Sequence, residues 1–131
     1  MDLKQYFDDH KGFGVLSTAD RSGVVDAAVY SRPHVESDGS LAFIMRDRLT
    51  HANILTNPHA VYLFREDQPG YHGIRLFLTK TAEDDDPQLI ESLRRRQKPD
   101  RELAGENRFV VYFKVEKALK LIGANEVSLN V

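Results

Sequence analysis

The sequence predicts a mainly β fold, a small antiparallel barrel of about six strands with two or three short peripheral helices. Three observations predict it. Short apolar or alternating stretches rich in Val, Ile, Phe and Tyr recur along the chain. The turns between the first three are too tight for helical crossovers, which makes neighbouring strands antiparallel. A chain of 131 residues fits one hydrophobic core and leaves little room for a second, so residues 1–131 read as a single domain.

Asp2 to Asp9 reads as a short helix, because Leu3, Tyr6 and Phe7 recur at helical separations and share a face. Gly12 to Thr18 reads as a strand, with Phe13 and Val15 on one side and Leu16 on the other. Asp20-Arg21-Ser22-Gly23 is a turn sequence, and Val24 to Val35 the return strand. Val25, Ala27 and Val29 share one face of it; Val24, Asp26, Ala28, Tyr30 and Arg32 share the other. Pro33 has no backbone donor, so it calls for an edge, a bulge or the end of pairing. Ser37-Asp38-Gly39 then turns the chain into the strand Leu41 to Met45.

A helix follows, capped by Asp47 or Thr50 and ending before Pro58, with Leu49, Ala52 and Leu55 facing the barrel mouth. Ala60 to Phe64 and Ile74 to Thr79 read as strands around the turn Gln68-Pro69-Gly70. Asp86 and Pro87 start a further helix with Leu89, Ile90 and Leu93 as its buried stripe and Arg94, Arg95 and Arg96 at its exposed end. The last strand, Arg108 to Glu116, carries Phe109, Val111, Phe113 and Val115 on one face. Val110 and Tyr112 lie opposite, which points to a subunit interface there.

Composition narrows the function classes. Eighteen basic residues against twenty acidic give a formal charge of −2, so no global basicity marks nucleic acid as a partner. The run Arg94-Arg95-Arg96 with Lys98 and Arg101 complements its own helix dipole more simply than it binds RNA. Without cysteine there is no disulfide and no thiol chemistry. The longest apolar runs, Leu41 to Met45 and Phe109 to Phe113, are too short to cross a bilayer, and the start MDLKQYFDDH lacks secretory character. A cytoplasmic, soluble protein is the expectation. The five histidines form no metal-ligand pattern, and no serine sits in a nucleophile elbow, so no catalytic or metal residue is assigned.

One stretch carries chemistry. From Leu41 to Phe64 a strand runs into an arginine-bearing corner and then a helix. The first turn of a helix leaves backbone N–H groups without intrahelical partners, and Arg46, Arg48 and Thr50 stand there as phosphate donors. The plainer alternative is two solvated arginines and a capping threonine. Arg32 and His34 are weaker candidates for the same cleft, since Pro33 interrupts their strand.

The segments GVLSTAD, VVDAAVYSRP, RDRLTHANILTNPHAVYLF and VVYFKVEKALKL, which span most of the chain, resemble the FMN-binding split-barrel family. This is the pyridoxamine 5'-phosphate oxidase-like group, and the likeness is to its small flavoprotein branch. The resemblance implies a six-stranded antiparallel Greek-key split barrel that forms a homodimer, with one FMN in each of two clefts at the subunit boundary. Carried over residue by residue, it places the phosphate at Arg48, Thr50 and His51. It places the flavin ring along Ala28, Val29, Tyr30 and Ser31 and along Ile44, Met45 and Arg46. Asn53 matches a helix asparagine of several members, and Tyr71 and His72 are weaker candidates for ring contacts across the dimer.

Two departures stand out. Many relatives have lysine where this chain reads Arg48-Leu49-Thr50, and the C-terminal arginine and histidine motif of the full oxidase has no counterpart. Vitamin B6 oxidation is therefore not implied. The expected function is electron transfer, or flavin-dependent reduction or oxidation of a small molecule, with a nicotinamide as one possible donor. The alternatives are a flavin carrier or sensor without turnover, and a structural barrel dimer without cofactor.

Overall fold

The computed structural model describes residues 1–94 and 107–130; Arg95, Arg96, Lys98 and Arg101 of the basic run lie outside the described residues. In chain order the elements are α1 (Leu3–Asp9), β1 (Gly12–Ala19), β2 (Val25–Val29), β3 (His34–Val35) and β4 (Leu41–Arg46). They continue with α2 (Leu49–Thr56), β5 (His59–Glu66), β6 (Gly73–Asp84), α3 (Pro87–Arg94), β7 (Arg108–Lys120) and β8 (Glu126–Val127). Local chemistry explains the boundaries. The Asp2 carboxylate accepts from the Gln5 N–H and caps α1, and Asp86 accepts from Gln88 N–H at the start of α3. Asp20 accepts from the N–H groups of Ser22 and Val24, while Gly23 takes φ +85°, so the β1–β2 turn forms where the sequence predicts it.

All strand pairs are antiparallel and belong to one sheet, ordered β2-β1-β5-β6-β7-β4-β3 with β8 paired to β7. The end strands β2 and β3 are joined by residues 30–33 alone. In a flat sheet those two strands would stand about 29 Å apart, at roughly 4.8 Å per neighbour. The linker spans at most about 18 Å when fully extended. The sheet must therefore curl until its two edges approach each other.

The mainly β, antiparallel architecture with three short helices is as expected; the strand count differs from the six of the expected split barrel. The sheet has eight strands among the described residues, and its end strands β2 and β3 are not paired neighbours. The count differs for identifiable reasons. Buried Pro33, lacking an N–H, divides the anticipated strand Val24 to Val35 into β2 and β3, and the two-residue β8 carries no sequence signal of its own.

The main core lies inside the curl. Leu16, Leu41, Phe43, Met45, Tyr62, Phe64, Leu76, Val111 and Phe113 are all nearly inaccessible, and α1 closes one opening with Leu3, Tyr6 and Phe7. Phe7 meets Phe64 edge-on at 5.3 Å, and the Tyr6 hydroxyl donates to Glu66 at 2.6 Å. A smaller cluster unites Ile90 and Leu93 of α3 with Ala42 and Val110. The second face of β7, expected to meet another subunit, is thus covered around Val110 by a helix of its own chain.

The exit of β2 is fixed by two hydrogen bonds to the Tyr30 backbone. Tyr30 N–H donates to the Gly14 carbonyl at 3.0 Å, and the buried Tyr62 hydroxyl donates to the Tyr30 carbonyl at 3.1 Å. A Cβ on Gly14 would sit 2.0 Å from the Tyr62 hydroxyl and 2.6 Å from the Tyr30 carbonyl oxygen. Gly14→Ala should therefore destabilise the fold by about 2 kcal/mol, the scale of an overpacked core. Urea unfolding checks this; an unchanged midpoint would show that this approach is not tight.

Candidate functional site

The corner between β4 and α2 begins where β4 ends, at Arg46. Arg48 N–H donates to the Arg46 carbonyl at 2.9 Å, and the Arg48 carbonyl accepts from Ala52 N–H at 3.0 Å, which opens α2. Arg48 itself is the N-cap, in extended conformation, and its side chain makes no capping bond. Neither Asp47 nor Thr50 fills that role; Thr50 is already helical and buried. The reason is the turn, which puts the last non-helical φ and ψ on residue 48. No acidic residue stands in the first turn of α2. A basic residue at the positive end of a helix is the reverse of what the macrodipole favours. That local charge arrangement favours an incoming anion.

Tyr30 reaches the same corner from the first position after β2. Its ring meets Phe43 edge-on at 5.9 Å. Burial raises the phenol above its ordinary pKa; the Thr50 hydroxyl and the Arg46 charge oppose that rise, and Asp26 adds to it. Tyr30 is therefore within electrostatic reach of Thr50 and Arg46, although the three come from the segment after β2, from α2 and from β4. Helix α2 packs against all three of β1, β2 and β4.

The other candidates fall into different surroundings. His51 is 4% exposed; its Nε2 lies 3.0 Å from Glu83 Oε2, and its ring stacks on Phe109 at 3.9 Å and 7°. Asn53 is equally buried and donates to the Thr18 hydroxyl at 3.0 Å. Both side chains anchor α2. The helix thus buries Thr50, His51, Asn53 and Ile54 and leaves Leu49 and Leu55 exposed, opposite to the expected packing of Leu49, Ala52 and Leu55. The polar partners Thr18 and Glu83 on the sheet draw the polar side inward.

Strand alternation divides the expected ring contacts. Ala28 and Tyr30 are partly buried, whereas Val29 and Ser31 are exposed. Met45 is fully enclosed in the main core, and Ile44 packs against the α3 cluster. Tyr71 and His72 lie in the exposed turn between β5 and β6. Arg32 and His34 do not join the corner: they line a separate cavity between α1 and β3.

Glu83, Phe109 and Thr18 escaped sequence reasoning as site neighbours. Their roles arise from pairing across long sequence separations. Glu83 also accepts from Lys80 Nζ at 2.5 Å. Burial raises the Glu83 carboxyl, but the bonds from Lys80 and His51 outweigh it and hold the group below its ordinary value. Among the described residues no group of His, Asp and Glu is placed to hold a metal, and no helix is long and apolar enough to cross a membrane.

No family model matches the chain, and no curated protein does. Solved structures do. An FMN-binding protein from Syntrophomonas wolfei subsp. wolfei superposes with a TM-score of 0.74 at 20% identity, covering 92% of this chain and 84% of that one. HupZ from Group A Streptococcus gives 0.72 at 16% identity, with 96% of each chain covered. An F420 reductase gives 0.67 at 17% identity, covering 88% of this chain and 94% of that one. The chain shares the fold of these proteins, the fold to which its sequence resemblance points.

The depressed Glu83 pKa carries a sign. Glu83 contributes most stability when ionised, above its unfolded value of about 4.3, and that contribution fades as pH falls through the lower folded value. Glu83→Gln should cost about 1 kcal/mol at neutral pH, the modest size expected of a pair with partial access to solvent. Urea unfolding should show the gap between the two proteins shrinking as pH falls below the ordinary carboxylate range. A gap independent of pH would mean that the carboxylate charge is not what anchors α2.

Proposed function

We propose that this chain is an FMN-binding homodimeric flavoprotein of the split-barrel family, acting in electron transfer or in flavin-dependent redox conversion of a small molecule. One observation carries the reading: Arg46, Arg48, Thr50 and Tyr30 converge at the start of a helix capped by a basic residue. The fold shared with an FMN-binding protein supports it.

The residues present fit the group. The first-turn N–H groups of α2, the Arg48 guanidinium and the Thr50 hydroxyl would hold the phosphate. Tyr30, Ala28 and Arg46 would flank the ring, with Met45 and Phe43 supporting that wall from the core. His51 and Asn53 act as positioning residues, because their polar atoms are engaged with Glu83 and Thr18 and fix the helix that presents Thr50. FMN, when bound, supplies the hydride or electron chemistry. The chain contributes position, exclusion of water and a positive field. That field favours the more anionic reduced ring, and no side chain is required as an acid or base.

The second copy would cover the outer face of β2, β1 and β5. Val29 opposes Val15, and Val15 opposes Leu63, which makes an apolar row across three strands. Val25 and Val29 are 78% and 68% exposed, and Phe13 is 54% exposed beside them. Such a face on a small domain marks an association surface. A second reading of the corner, favoured by the F420 reductase neighbour, is that it takes F420 or another extended cofactor. A carrier or sensor without turnover uses the same contacts.

Two measurements separate these readings. Arg48→Ala should weaken FMN about tenfold while leaving riboflavin, which lacks the phosphate, nearly unaffected. Equal losses by fluorescence titration would remove Arg48 from the phosphate site. Val29→Asp, at an exposed position, should shift the protein from dimer to monomer in sedimentation velocity. An unchanged dimer would place the interface elsewhere.

A further inference from the structure

The cavity between α1 and β3 has a volume of about 300 Å³, and none of its lining residues belongs to α2 or to the corner beside it. Its polar wall is made by Lys4, Asp8, Arg32 and His34, and its apolar part by Phe7, Pro33 and Val35. We infer that it is a second binding site, for a small organic carboxylate with a compact apolar body.

The wall is built in advance. Arg32 Nη1 donates to the carbonyls of Phe7 and His10, at the C-terminal end of α1, where a cation is favoured by the helix dipole. A guanidinium already fixed by the protein loses little further freedom when a ligand arrives. His34 Nε2 is shielded from solvent in the same wall. Lys4 and Asp8 pair at 3.0 Å one helical turn apart, with side chains 70% and 60% exposed. So exposed a pair is weak, and Lys4 can turn from it toward a ligand at small cost.

Charge and size then select the ligand. Lys4 and Arg32 against Asp8 leave one positive charge in excess, which matches a monoanion better than a phosphate dianion. The volume stands at the small end of ligand pockets, and Phe7, Pro33 and Val35 give a carbon skeleton an apolar surface.

Benzoate is the probe, followed through the histidine ring proton resonances of the full chain, with His34→Gln identifying the His34 signal. Benzoate should shift that signal saturably, and uncharged benzamide should bind at least fivefold more weakly. Lys4→Glu should weaken benzoate at least fivefold, and Asp8→Asn should tighten it. Both substitutions are on the exposed side of α1, so the fold is retained. Addition of FMN should leave benzoate affinity unchanged. No saturable shift, equal binding of benzamide, or indifference to both charge changes would overturn the proposal. Mutual displacement of benzoate and FMN would assign the cavity to the cofactor site and overturn it as a second one.

Discussion

The four residues from Tyr30 to Pro33 constrain everything else in this molecule, because they tie one edge of the sheet to the other. A seven-strand path cannot stay flat under that tie, so the inward side chains of β1, β4, β5, β6 and β7 are gathered around one core. The same tie brings β2 near β4, and helix α2 bridges them. Tyr30, at the start of the tie, is clamped through its backbone by Gly14 and Tyr62. Its side chain is thereby set beside Phe43, within electrostatic reach of Thr50 and Arg46. The candidate site is a consequence of how the sheet closes rather than an addition to it.

Helix α2 is held on the sheet by polar contacts as well as by Ile54 in the core. Asn53 with Thr18 is a buried pair, and His51, itself buried, meets a partly exposed Glu83; removing a partner would leave a buried polar group unsatisfied. Directional bonds of this kind fix both the rotation and the height of the helix, which a greasy contact would leave looser. That rigidity matters for the proposed anion site, whose donors would include helical amides. Stacking of His51 on Phe109 also ties the helix to β7, the strand next to β4.

Local signals were readable. The helix starts at Asp2 and at Asp86-Pro87, the turn at Asp20 to Gly23, and the stripe Leu3, Tyr6 and Phe7 all follow from neighbours in sequence. The gathering of Arg46, Arg48 and Thr50 around the start of α2 was legible for the same reason, since they are near neighbours in sequence. Long-range facts were not legible. Periodicity assigned Leu49 and Leu55 to the buried side of α2, but the decisive partners are Thr18 and Glu83, about 30 residues distant on either side. Register shifts between β6 and β7 near Phe77 and Lys80 help set where Glu83 lies, and no residue pattern announces them. The packing of α3 over Val110 was not legible either, because it joins a helix to a strand face about 20 residues away in sequence.

Retention of FMN by the purified chain tests the account most directly. Protein stripped of ligand, mixed with FMN and passed through a desalting column should emerge yellow, absorbing near about 450 nm with one flavin per chain. Colourless protein, with all the FMN eluting later as the free molecule, would contradict the reading of the α2 corner as a cofactor site.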